Sequence, residues 1–142
     1  IFLFDKLKEK YGYKDFKECF KDRVNRREEW FNEICEFNKE DPARLAKEIM
    51  KKANIYCGMR SDREIQKCIE DEVFDHIIEI FNPHLPKESP ESFDINFDSL
   101  PKYYTIYNDS DLDTLRLRLM ELIMKLNIIE LQKKVTKESV EI

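Results

Sequence analysis

The sequence predicts an all-α protein: about five helices bundled around a central C-terminal helix, residues 110–133, with a long Pro- and aromatic-rich extended connection over residues 82–109. Three observations carry this reading. Leu112, Leu115, Leu119, Leu122, Leu126 and Ile129 step by three, four, three, four and three residues, the stripe of a helix packed along a partner. Two glycines and five prolines in 142 residues leave few turns for a fold of many short strands. Lys, Glu, Leu and Ile dominate the rest, and that composition favours helix.

Taken in order, Phe2 to Tyr11 reads as a short helix with Leu3, Phe4, Leu7 and Tyr11 inward, closed by Gly12 as the left-handed residue. Asp15 offers an N-cap, and Glu18 three residues on resembles a capping box. From there Phe16, Phe20, Val24, Phe31, Ile34 and Cys35 keep helical spacing to about Asn38. Asp41-Pro42 marks a third start, a capping carboxylate followed by Pro at the first helical position, and that helix runs to Gly58. Ser61-Asp62-Arg63-Glu64 is a full capping box. The helix it opens places Ile65, Cys68, Ile69, Val73, Ile77, Ile80 and Phe81 on one face, and Asn82-Pro83 ends it.

Residues 82–109 hold four of the five prolines, with Phe93, Ile95 and Phe97 alternating and Tyr103, Tyr104 and Tyr107 following. Their aromatics predict a strap laid on the bundle, with room for a short strand. Asp109 or Ser110 then caps the last helix. That helix carries a second apolar set, Leu117, Met120, Met124, Ile128 and Leu131, besides its ladder. A helix apolar on most of its circumference belongs in the middle of something. Residues 1–135 are read as one helical domain and 136–142 as a polar tail that frays.

The chain starts without Met, so a processed form or a piece of something longer is expected. No apolar run approaches the length of a membrane span. Cys19, Cys35, Cys57 and Cys68 contain no CxxC and are read as reduced core thiols in a cytoplasmic protein; two disulfides would instead indicate secretion. Residues 62–113 carry four basic against fourteen acidic side chains, a local −10, so the remainder holds +5 within a net −5. A whole-chain basic footprint for nucleic acid is absent.

Chemistry is sparse. Asp109-Ser110-Asp111-Leu112-Asp113 opens like a calcium loop, yet Thr114 and Met120 stand where Gly and the bidentate Glu are required. His76 with Glu72 and Glu79 could gather on one helix, but no second histidine-bearing helix completes a metal site. There is no GxSxG and no Gly-rich phosphate loop. No catalytic, cofactor or metal residue is therefore assigned.

The best basic–aromatic group is Lys21, Arg23, Arg26, Arg27 and Trp30, spaced so that most share a helix face that meets phosphates or stacks on bases. Arg116 interrupts the apolar side of the last helix and needs a carboxylate, here expected from the acidic fourth helix. The leading expectation is a non-enzymatic helical protein–protein interaction module, an adaptor within a larger protein or assembly. A protein partner or homo-oligomer would contact Leu117, Met120, Met124, Ile128 and Leu131. The alternatives are a nucleic-acid-binding helical domain and a small secreted binder of an apolar ligand.

Overall fold

The computed structural model describes residues 2–87, 89, 90, 93–101 and 103–140, the side chains of residues 2, 131 and 135–140 excepted. The chain divides after Phe74 into two compact units.

The first unit begins with α1 (Phe2–Tyr11), where Leu3 and Leu7 are buried and Phe4 and Tyr11 pack beside them. Gly12 sits at φ +70° and returns its N–H to the Lys8 carbonyl at 2.8 Å, the left-handed stop its sequence position predicts. In α2 (Phe16–Asp22), Asp15 accepts the Glu18 N–H at 2.9 Å. The Glu18 carboxylate reaches back to the Lys14 N–H at 2.8 Å, one residue beyond the N-cap N–H that a standard capping box engages. Cys19 is fully buried against Leu3 and Leu7, and Tyr13, Trp30 and Ile34 close the cluster.

The single helix predicted over residues 16–38 is broken. A 3-10 turn (Arg23–Asn25) intervenes, Arg26 leaves helical geometry at φ −123°, and α3 (Arg27–Phe37) starts afresh. Asp22 explains the break. Its carboxylate accepts from the Tyr13 hydroxyl (2.6 Å), the Asn25 amide (2.8 Å) and the Arg26 Nε (3.2 Å), local bonds that compete with the helical ladder.

A second cluster joins α4 (Arg44–Met50) to α5 (Asp62–Glu70) through the buried Ala43, Ala46 and Cys68, side chains small enough for close backbone approach. Asp41 accepts the Ala43 N–H at 2.9 Å, but α4 starts after Pro42-Ala43 and stops well before Gly58, because the Lys52 and Ala53 N–H groups both turn to the Ile49 carbonyl. The capping box at Ser61 does not form; Glu64 accepts the Asn38 side-chain amide at 2.9 Å instead. Asn38 is buried, and its carbonyl oxygen accepts the Leu45 N–H at 3.0 Å, so one side chain ties α3, α4 and α5 together.

The long fourth helix is the largest correction. α5 ends at Glu70 in a Schellman motif: Glu72 takes φ +52°, its N–H returns to the Ile69 carbonyl, and the Val73 N–H returns to Cys68 at 2.9 Å. Val73 packs on the Cys68 cluster, the apolar contact that accompanies this motif. Ile77, Ile80 and Phe81 are consequently not a helix face.

In the second unit Ile80 and Phe81 belong to β1 (Ile78–Phe81), with Ile77 just before it; β1 is paired in parallel with β2 (Tyr104–Tyr107) in the register Ile78↔Tyr104 through Phe81↔Tyr107. The Pro-rich connection between them carries a 3-10 turn (Phe97–Ser99), a buried Leu100 and a run of rings, Phe93 to Phe97 to Tyr103. The last element, α6 (Leu112–Val140), packs on β2, whose Ile106 is only 4% exposed.

The all-α expectation is therefore wrong. The chain is mostly helical, with six helices rather than five among the described residues, and a small two-stranded parallel sheet. The C-terminal helix is continuous as the ladder predicts, but one side of it is exposed. Of the predicted polar tail, residues 136–140 continue the helix; their side chains and residues 141–142 lie outside the described residues.

Candidate functional site

α6 is 29 residues long and has two apolar sides doing different things. At about 100° per residue, Leu115, Leu119, Leu122, Leu126 and Ile129 fall on one side, and Leu117, Met120, Met124 and Ile128 fall nearly opposite. Every member of the first set is half-buried. Leu122 lines a groove of about 460 Å³ together with Tyr104, Ile106 and Arg118, where the helix lies along β2.

Polar contacts fix the helix in that seat. Asp111 caps its start, accepting the Thr114 N–H at 2.7 Å. Arg118 donates to the Asp109 carboxylate at 2.6 Å and to the Tyr107 carbonyl, closing the corner between β2 and α6. This guanidinium holds the Asp109 carboxyl below its usual range, and backbone N–H donation from Thr114 does the same for Asp111. Lys125 lies over the Tyr104 ring at 5.7 Å. His76 packs edge-on against the same ring, with its Nε2 3.7 Å from Glu130.

The opposite side has no such cover. Leu117, Met120, Met124 and Ile128 are each more than half exposed, Met124 at 63%, and Leu112 and Ile123 extend the exposed apolar surface. Met124 and Ile128 line a shallow open groove of about 350 Å³ with Glu121, Lys125 and Ile129. The predicted contact residue Leu131 has its side chain outside the described residues. Arg116 finds its carboxylate within its own helix, Asp113 at 2.9 Å, rather than from the acidic segment expected to supply one.

Sequence reasoning missed a second exposed apolar strip, Ile78, Ile80 and Phe81 on β1. The signal was present: Ile-Ile-Glu-Ile-Phe before Asn-Pro is a β-branched and aromatic run of strand length.

The helix expected to carry the basic–aromatic group is interrupted by the 3-10 turn and by Arg26. Arg23 lies over the Phe20 ring and Arg26 over the Tyr11 ring, each at 4.2 Å. Trp30 packs into the first cluster, edge-on to Phe20, and its indole N–H is buried with no partner among the described residues. Lys21 and Arg27 are exposed.

The cysteines divide. Cys19 and Cys68 are buried, and burial pushes the Cys68 thiol up to about 12, whereas Cys35 and Cys57 are exposed and so are not core residues. All four are free thiols in this structure. The Glu72–His76–Glu79 helical cluster does not form, since Glu72 lies past the end of α5 and Glu79 sits on β1, accepting from Thr105 at 2.8 Å. Among the described residues no group of His, Cys, Asp and Glu is arranged to hold a metal ion, and no helix is long and apolar enough to cross a membrane. Compared with family models, with curated proteins and with solved structures, the chain matches none.

Proposed function

We propose that this protein is a non-enzymatic protein–protein interaction module, and that its contact element is the outward side of α6. One observation carries the reading: Leu117, Met120, Met124 and Ile128 form an exposed apolar row on a helix whose other side is already seated on its own sheet. Single exposed apolar residues need no explanation, but a contiguous row marks a surface that binds something. Fully covering one such side chain gains about 1.5–3 kcal/mol, so four aligned residues are enough to offset much of the cost of association. The two methionines suit a contact surface, being flexible and polarizable.

The nucleic-acid alternative has less behind it. Two of its arginines are stacked on the protein's own rings and its tryptophan faces inward.

Replacing Met120 and Met124 together by Glu tests the reading. The variant keeps the far-UV spectrum of the unsubstituted chain and loses both dye binding to exposed apolar surface and any self- or partner association. Association unchanged by the double substitution overturns the assignment of this face.

A further inference from the structure

We infer that the open edge of β2 is a binding site separate from the outward side of α6, and that its occupant is an extended peptide segment added as a third strand. The register fixes which backbone groups are free. In the parallel ladder the Tyr104 N–H donates to the Ile77 carbonyl at 2.9 Å and the Asn108 N–H to the Phe81 carbonyl at 2.7 Å. Residues 104, 106 and 108 therefore turn their N–H and C=O toward β1, and Thr105 and Tyr107 turn theirs to the opposite edge. The Tyr107 carbonyl accepts from Arg118 on that side. The Thr105 N–H and C=O and the Tyr107 N–H have no hydrogen-bond partner among the described residues. Free donors and acceptors in this alternation are what an added strand pairs with.

The wall beside that edge sets the length and chemistry of the occupant. The groove of about 460 Å³ is lined by every residue from Tyr103 to Tyr107, as a strand edge is and a strand face, showing alternate residues, is not. Arg118 meets Tyr107 and Lys125 lies over the Tyr104 ring, so α6 runs antiparallel to β2 here. The stretch from Arg118 to Lys125 lies beside the stretch from Tyr107 back to Tyr104, each about 10 Å long. Glu121, on the same wall, falls level with Ile106. Arg118 is held by Asp109 at 2.6 Å, whereas Glu121 and Lys125 have no ion pair among the described residues. Those two charges are about 6 Å apart along the helix, and side chains two apart on a strand are separated by about 7 Å. A strand antiparallel to β2 therefore fits with a basic side chain opposite Ile106, beside Glu121, and an acidic one opposite Tyr104, beside Lys125. The residue between them faces Thr105 and exchanges both backbone bonds with it. Reversing the two charges sets like against like at both positions.

The probe is the capped pentapeptide Ac-Val-Lys-Val-Glu-Val-NH2, titrated into the full chain and followed by backbone amide NMR shifts. The expected result is saturable shifts at Thr105 and Tyr107 with a dissociation constant on the order of 100 µM, in keeping with a short ligand. Methylating the central valine nitrogen removes the N–H that the Thr105 carbonyl accepts and is expected to weaken binding about tenfold. Methylating the glutamate nitrogen, which faces solvent, is expected to leave binding unchanged. The charge-swapped Ac-Val-Glu-Val-Lys-Val-NH2 is expected to bind about fivefold more weakly at low salt. Glu121→Lys with Lys125→Glu, both exposed positions, is expected to reverse that preference. No shifts at about 10 mM peptide would overturn the inference, as would equal binding of the two methylated peptides or a preference that the double reversal leaves in place. Shifts confined to Ile78 and Ile80 would put the strand on β1 instead. Thr105 and Tyr107 shifts that grow with protein concentration in the absence of peptide would make the occupant a second copy; either result also overturns it.

Discussion

The two units solve the same problem in different ways. Residues up to Phe74 fold short helices around small buried side chains, Cys19 in one cluster and Ala43, Ala46 and Cys68 in the other, and lock them with polar clamps. Asn38 bridges three helices, and Lys47 sits between Asp41 at 2.7 Å and Asp71 at 2.6 Å. From Asp75 onward one long helix packs on a two-stranded sheet through β2, and an apolar row on the helix is left exposed. The difference teaches that apolar content alone does not say where a core is. The first unit spends its apolar residues inward; the second holds some of them in reserve on its surface.

The comparison is broken most severely by truncating a buried side chain in each unit. Leu7→Ala and Ile106→Ala, at 2% and 4% exposure, are each expected to cost about 2–4 kcal/mol of unfolding free energy, measured by urea denaturation. The sole tryptophan, Trp30, packs against the Leu7 cluster, so its fluorescence follows the first substitution. Asn38→Ala removes the acceptor of the Leu45 N–H and is expected to cost about 2 kcal/mol. Glu72→Gly acts the other way. A non-glycine residue at φ +52° is strained, so glycine there is expected to raise stability by roughly 1 kcal/mol, seen as a higher urea midpoint.

Acid sharpens the contrast further. Asp22 is held down to about 2 by the Tyr13 hydroxyl, with Asn25 and Arg26 assisting, and Asp41 and Asp71 are lowered by Lys47. A carboxyl lowered on folding adds stability that is complete above its ordinary pKa, about 4, and is lost as pH falls toward the folded value. Trp30 fluorescence is therefore expected to show the first unit destabilised between about pH 4 and pH 2, and Asp22→Asn to flatten that dependence.

How much of this was legible follows from which forces were local. Gly12 ending α1, Asp15 capping α2 and the continuity of α6 all depend on neighbours in sequence, and the sequence showed them. The break at Arg26 depends on Tyr13 reaching Asp22, a contact between separate elements that no spacing reveals. Residues 77–81 satisfy helical and strand periodicity equally, and the choice was made by β2, more than twenty residues away. For the candidate site, the apolar row on α6 was visible, but its exposure was not. A surface row and a core row have the same spacing, and only the seating of the opposite side on β2 tells them apart.

The two-sided helix is tested most directly by hydrogen exchange of the α6 amides at low protein concentration in Leu122→Asp and Met124→Asp. Leu122→Asp should strip protection from α6 and β2, while Met124→Asp should leave the exchange pattern of the unsubstituted chain intact. Equal loss of protection in both variants would show that both sides of the helix are core, and the outward face would not exist.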